Sequence, residues 1–260
     1  MKRGWQMRIL VLCVVMLSVC LPGYAGTDLV LATAPFPPFR IVHADGRVEG
    51  SDADIVREVF ALAGYRVTYA VYPLARATEL LVRGGVAGFV SVTRSPERER
   101  YCHFSQPVNF VKDVFFKRKD RVIVWHTLED LSSCVVGHSG YNYAQVFLDA
   151  IHRRVFRRVE VVRAENPEPL QFRKLLAGRM DVFICEINVG LWFLRNHSQE
   201  FSGIDLIPSP VGPVRSFHVA FSRRWPGAEE LVARFDRALA TWKQTSRQRE
   251  IFSRYGMVSW

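Results

Sequence analysis

Beyond its first 25 residues the chain has no apolar run long enough to span a membrane, so no later transmembrane helix is expected. Its five cysteines (13, 20, 102, 134 and 185) contain no CxxC pair, and its seven histidines contain no HxxxH or HExxH pattern. A zinc or other metal centre is therefore not expected, and neither is a cofactor. No internal repeat and no low-complexity block is visible, which excludes solenoids and long disordered tracts. A basic stretch interleaved with aromatics is also missing, so nucleic acid is not an expected partner despite a formal charge of +10.

The first 25 residues read as a cleavable signal peptide. Lys2, Arg3 and Arg8 form a positive start, Ile9 to Leu21 a short apolar core, and Gly23-Tyr24-Ala25 a small-residue cleavage site. Leu17-Ser-Val-Cys20 resembles a lipoprotein signal only faintly, because valine before the cysteine fits badly. Cleavage after Ala25 removes three basic residues and lowers the charge from +10 to +7. A basic exported protein can be steered toward anionic ligands or surfaces. Cys13 and Cys20 leave with the signal. Cys102, Cys134 and Cys185 remain, an odd number, so at least one thiol is expected free or buried.

What remains is an alternation of short apolar strands and amphipathic helices, an α/β pattern. Strands are predicted at Leu29–Ala32, Val67–Val71, the run from Val86 to Val92, Val114–Phe116, Val122–Val124, Cys134–Gly137, Val159–Val162 and Met180–Cys185. Helices are predicted at Asp54–Ala63, Ala75–Val82, Tyr143–Ile151 and Leu170–Leu176, with Leu128–Leu131 a short turn or helix. Asp52 and Asp54 read as caps of the first helix. The tail Ala228–Tyr255 reads as one long amphipathic helix. Two such sets in about 235 residues imply two lobes. Polar clusters follow four of the strands: Thr33 to Phe39, Ser91 to Arg98, Gly140-Tyr-Asn142, and Glu186. Ligands of open α/β sheets bind beyond the carboxyl ends of strands, so facing lobes would bring the four clusters to one cleft.

The most informative stretch is Val86-Ala-Gly-Phe-Val-Ser-Val-Thr-Arg-Ser-Pro-Glu-Arg98. Its apolar part suits a strand covered on both faces. Ser95 suits a helix N-cap and Pro96 the first helical position, which places Arg98 in the first turn of a short helix. Ser91, Thr93, free backbone N–H groups and a guanidinium would then meet where a small carboxylate can be gripped bidentately. The plainer alternative is a surface arginine paired with Glu97 or Glu99.

Taken in order, several motifs resemble the bacterial periplasmic solute-binding proteins of family 3, the polar amino-acid-binding type of ABC transporters. They are Ala34-Pro-Phe-Pro-Pro-Phe39, Gly50-Ser-Asp-Ala-Asp-Ile55, Thr93-Arg-Ser-Pro-Glu-Arg98, Phe104-Ser-Gln-Pro107, Leu128-Glu-Asp-Leu131, Ala177-Gly-Arg-Met-Asp181 and the amphipathic tail. The resemblance implies a two-lobed, type II periplasmic-binding-protein fold, each lobe a mixed sheet flanked by helices, with two hinge crossings. It implies lobe 1 at 26–107 plus 218–260, lobe 2 at 113–211, and connections at 108–112 and 212–217. It further implies that Arg98 holds a ligand carboxylate with Thr93 and Ser91, that Asn142 reaches the same carboxylate from the second lobe, and that Glu186 holds an α-ammonium. Phe36 would pack on the ligand and Arg76 would point toward its side chain. The chain departs from the family pattern at Leu74, where an aromatic is usual, and at Thr33, where an acid is usual.

Binding without chemistry is the leading expectation: an exported monomer that closes on a small carboxylate or amino-acid-like ligand and is read by a membrane permease or sensor. An enzyme on the same scaffold, dehydratase-like, is the alternative. It would use Glu186 as a general acid, and the sequence places no second carboxylate, histidine or nucleophile beside it. A detached sensory domain is the third reading.

Overall fold

The computed structural model describes residues 27–164 and 166–258. The expected signal peptide and Cys20 lie outside them. The first sheet opens with β1 (Thr27–Thr33), followed by a small hairpin, β2 (Ile41–Val42) with β3 (Val48–Glu49), and by α1 (Ser51–Leu62). It continues through β4 (Tyr65–Val71), α2 (Leu74–Arg83), β5 (Gly88–Thr93), α3 (Pro96–Glu99), β6 (Cys102–Phe104) and β7 (Asn109–Val111). The chain then passes into a second sheet with β8 (Asp113–Arg118), a 3-10 turn at Leu128–Leu131, β9 (Val135–His138), α4 (Gln145–His152) and β10 (Arg158–Val161). That unit is completed by α5 (Pro167–Leu176), β11 (Val182–Glu186), α6 (Ile187–Asn196) and β12 (Ile204–Pro210). β13 (Arg215–Ser222) returns to the first sheet, and α7 (Ala228–Trp242) and α8 (Arg247–Arg254) close against it.

The two sheets share one plan. The first runs β4-β1-β5-β13-β6, with β4, β1 and β5 parallel and β13 antiparallel beside β5. The second runs β10-β9-β11-β8-β12, with β10, β9 and β11 parallel and β8 antiparallel beside β11. The outgoing and returning passages pair with one another: Val111 lies opposite Arg215 and Asn109 opposite Phe217.

Local chemistry accounts for the elements. Ile55, Val56, Val59 and Phe60 of α1 fall on one buried face at helical spacing. β5 is buried along nearly its whole length, as its apolar run requires of a central strand. Ser95 caps α3 by accepting the Arg98 N–H at 3.3 Å, and Pro96 occupies the first turn. Gly50 precedes α1 at φ +124, where a Cβ would press on the Phe39 and Pro38 carbonyls.

Three expectations need correction. Val122–Val124 is irregular chain, not a strand, and Val122 is 91% exposed: β8 ends at Arg118, and no neighbouring strand takes up the segment. The tail is two helices. After Trp242 the backbone tightens into turns at 243–246, while the Trp242 indole and the Arg247 guanidinium both fasten on Glu58 of α1, at 2.8 and 2.6 Å. Asp52 and Asp54 do not cap α1, whose N-cap is Gly50. Both are turned inward, Asp52 to the Asn109 side-chain amide (2.9 Å) and Asp54 to the Tyr255 hydroxyl (2.7 Å). The remaining cysteines are all free thiols, Cys102 and Cys185 buried. Among the described residues no helix is long and apolar enough to cross a membrane.

Candidate functional site

The carboxyl ends of β1, β5, β9 and β11 open on one cavity of about 460 Å³ between the two sheets. The first-sheet wall is built on the end of β5. Arg98, held by the Ser95-capped turn, donates from Nη1 to the Thr93 carbonyl (2.8 Å) and to Thr93 Oγ1 (3.0 Å). Asn142, in the loop after β9, donates across the cleft to the same Thr93 Oγ1 at 3.2 Å. Phe36 meets Tyr141 of the opposite wall edge-on at 5.4 Å. These two contacts bridge the cleft.

Six of the seven predicted residues, Phe36, Ser91, Thr93, Arg98, Asn142 and Glu186, line this cavity. Arg76 does not. It lies exposed on α2, paired with Glu79 at 2.6 Å, because the turn that starts α2 points its first residues outward and leaves Leu74 at the cavity.

Sequence reasoning missed Arg40. It follows the Pro-Phe run as a formally surface-type residue, yet it is 7% exposed. Its Nε donates to the Ala34 carbonyl at 3.0 Å, and its Nη1 donates to Ser91 Oγ at 2.8 Å and to the Ser91 carbonyl. Its guanidinium lies over the rings of Phe36 and Phe89, 5.3 Å from each centroid. Burial lowers its pKa to about 10, against the opposing attraction of Asp52.

Asp113 and Arg215 were also missed. Each opens a strand at a passage between the sheets, and both line the cavity. The Arg215 Nη2 reaches both Asp113 oxygens (2.7 and 2.8 Å), Nε reaches one of them at 3.1 Å, and Nη1 donates to the Asn142 carbonyl at 2.6 Å. Burial raises the Asp113 pKa even though Arg215 pulls it down.

Glu186 ends β11 and caps α6. Its carboxylate accepts the Val189 N–H at 3.0 Å and the Lys112 N–H at 3.5 Å. Burial pushes its pKa up to about 8, with a further push from Asp113 directly opposite in the β8–β11 pair. The expectation that no second carboxylate stands beside Glu186 is therefore corrected, although Asp113 is held by Arg215. Behind the second wall stands the buried Glu168 of α5, whose pKa burial raises to about 7.

A cleft between two sheets of like strand order, with two chain passages joining them, is the architecture of a type II periplasmic binding protein. The chain belongs to the bacterial extracellular solute-binding proteins, family 3, which it matches over residues 29–258. A probable histidine-binding protein from Neisseria gonorrhoeae is 22% identical over 232 residues, covering 87% of this chain and 81% of that protein. Among solved structures, a histidine kinase sensor domain with similarity to periplasmic binding proteins aligns at a TM-score of 0.72 and 20% identity, over 88% of this chain and 95% of that one. An ancestral arginine-binding protein bound to arginine aligns at the same TM-score and identity, over 88% and 97%. An ancestral amino-acid-binding precursor of cyclohexadienyl dehydratase aligns at 0.69 and 17%, over 88% and 95%. At these identities the structural likeness concerns the fold.

Proposed function

We propose that this is an exported, monomeric binding protein that closes on a small carboxylate ligand and presents the closed form to a membrane permease or sensor. Lobe 1 is taken as 26–107 plus 218–260 and lobe 2 as 113–211, with the paired segments 108–112 and 212–217 as the hinge. One observation carries the reading. Arg98 stands in the first turn of α3 beside Thr93, and Asn142 reaches that same threonine from the other wall. A carboxylate placed there would be met by a guanidinium, a hydroxyl and an amide from both lobes, so its binding would favour closure. Ser91, Phe36 and Glu186 line the same cavity. Closure would exclude water and strengthen the carboxylate–guanidinium contact.

Native mass spectrometry of the purified protein identifies a co-purified ligand, and calorimetry then measures it. Truncating one partner of a desolvated charged pair costs about 2–5 kcal/mol, so Arg98→Ala is expected to weaken binding by roughly 30-fold or more. Arg98→Lys should recover part of the loss, since an ammonium lacks the planar fork. A folded Arg98→Ala protein that binds like the parent rules the clamp out. The rival reading, an enzyme on this scaffold, is favoured only by a buried Glu186 able to keep its proton. Product analysis after incubation with the co-purified compound separates the two.

A further inference from the structure

An α-ammonium group needs about three acceptors, one of them preferably an ionised carboxylate. On the first-lobe wall the Thr93 carbonyl and hydroxyl accept from Arg98, the hydroxyl from Asn142 as well, and the Ala34 carbonyl, the Ser91 carbonyl and the Ser91 hydroxyl all accept from Arg40. Arg40 is locked there by the Phe36 and Phe89 rings on its faces and by buried Asp52 nearby, which is itself tied to Asn109. An ammonium in that place would meet a second cation instead of acceptors. On the opposite wall both Asp113 oxygens are engaged by Arg215. The Glu186 carboxyl is committed to the α6 N-terminus and, buried, keeps its proton near neutral pH. A protonated carboxyl donates a hydrogen bond, which suits an oxygen of a ligand and not an ammonium. Glu97, also on the wall, stands at the exposed rim.

We propose that the cavity selects small organic acids that lack an α-ammonium group, with one carboxylate on Arg98 and a second oxygen function, a 2-oxo group or a further carboxylate, turned toward Arg40. This rests on the Arg98 carboxylate reading and narrows it. The Neisseria relative and the arginine-bound ancestral protein are described by amino acids, histidine and arginine, so the expected ligand differs in kind from theirs.

The test is calorimetry at pH 7 on extensively dialysed protein with matched pairs: pyruvate and alanine, 2-oxoglutarate and glutamate, phenylpyruvate and phenylalanine, with arginine and histidine alongside. The oxo acid is expected to bind about tenfold or more tightly than its amino acid in every pair that binds at all, and arginine and histidine should give no heat of binding. Amino acids binding as tightly as, or more tightly than, their oxo acids overturns the proposal and leaves the Arg98 reading intact. No binding by any carboxylate overturns the Arg98 reading and this one with it. Arg40→Met keeps an unbranched stem between the rings and removes the cation, and it should bring each pair to within about threefold. An unchanged ratio in that variant shows that Arg40 is not the selector. Should Arg40→Met fail to fold because Asp52 is left unpaired, Arg40→Met with Asp52→Asn removes both charges and reads the same ratio.

Discussion

Glu186 shows how much one buried carboxyl can weigh. Its folded pKa, about 8, stands above the ordinary value of 4.5, because burial disfavours the charged form and Asp113 faces it. A raised carboxyl pKa means that the folded state holds a proton which the unfolded chain gives up. This contribution to stability is therefore complete below pH 4.5, falls as pH rises through the window up to about 8, and levels off above it. Within the window the loss runs at up to about 1.4 kcal/mol per pH unit. Glu186→Gln keeps a carbonyl for the Val189 N–H and removes the titration. The variant should match the parent at pH 4 to 5 and exceed it by roughly 5 kcal/mol at pH 9. Chemical denaturation of both proteins across that range checks this, and a difference that does not vary with pH refutes it. Arg98, Thr93 and Glu186 were legible in the chain because each follows a recognisable strand. Arg40 was not, since nothing local says that a charged residue after a Pro-Phe run turns inward to bond Ser91, 51 positions away.

At the scale of the element, helix α6 was invisible to periodicity. Its ten residues, Ile187–Asn196, follow directly on β11, and the strand predicted from the sequence ends at Cys185 with no helix assigned after it. Two features separate them. Glu186 caps the helix with its own side chain, and Gly190 lets α6 lie against β8. A Cβ added at Gly190 would overlap the ring of Phe116, which is fully buried and packed edge-on against Phe172 at 5.4 Å. Helix propensity alone would favour Gly190→Ala by about 1 kcal/mol. Overpacking a filled core costs about 1–3 kcal/mol, and here the obstacle is a ring with no room to withdraw. The variant should lower stability by about 1–2 kcal/mol on balance in urea denaturation. A gain in stability would mean that the α6–β8 contact yields easily. The tail errs in the other direction. Leu231, Phe235, Leu239 and Trp242 do share a buried face, but the stripe does not reveal that the helix ends where Glu58 draws in both Trp242 and Arg247.

Across the whole molecule, Asp113 and Arg215 fasten the two passages between the sheets. Asp113 begins β8 on the outgoing passage and Arg215 begins β13 on the return, 102 positions apart. The carboxylate is 1% exposed, so it depends on its partner. Arg215→Met would leave that charge buried and unpaired, at a cost of about 3–5 kcal/mol. Adding Asp113→Asn should restore more than half of the loss, because the isolated charge and not the missing bond dominates the cost. Guanidinium denaturation of the parent and the two variants measures both steps. If the single and double variants are equally unstable, the pair is held by packing and not by charge.

The sequence by itself determined the alternation of strands and helices, the cap that places Arg98, and the four polar clusters at strand ends, because all of these follow from neighbours a few positions apart. It also carries enough ordered motifs to indicate the family. Tertiary structure alone decided which side chains complete the wall. Arg40, Asp113 and Arg215 reach the cavity through contacts between distant segments, and Arg76 stays on the exposed face of α2, away from it. The physical reason is range. Capping and periodicity act within a turn or two of chain, whereas the burial and pairing of charge, which set what the cleft can bind, depend on which strands the fold brings side by side.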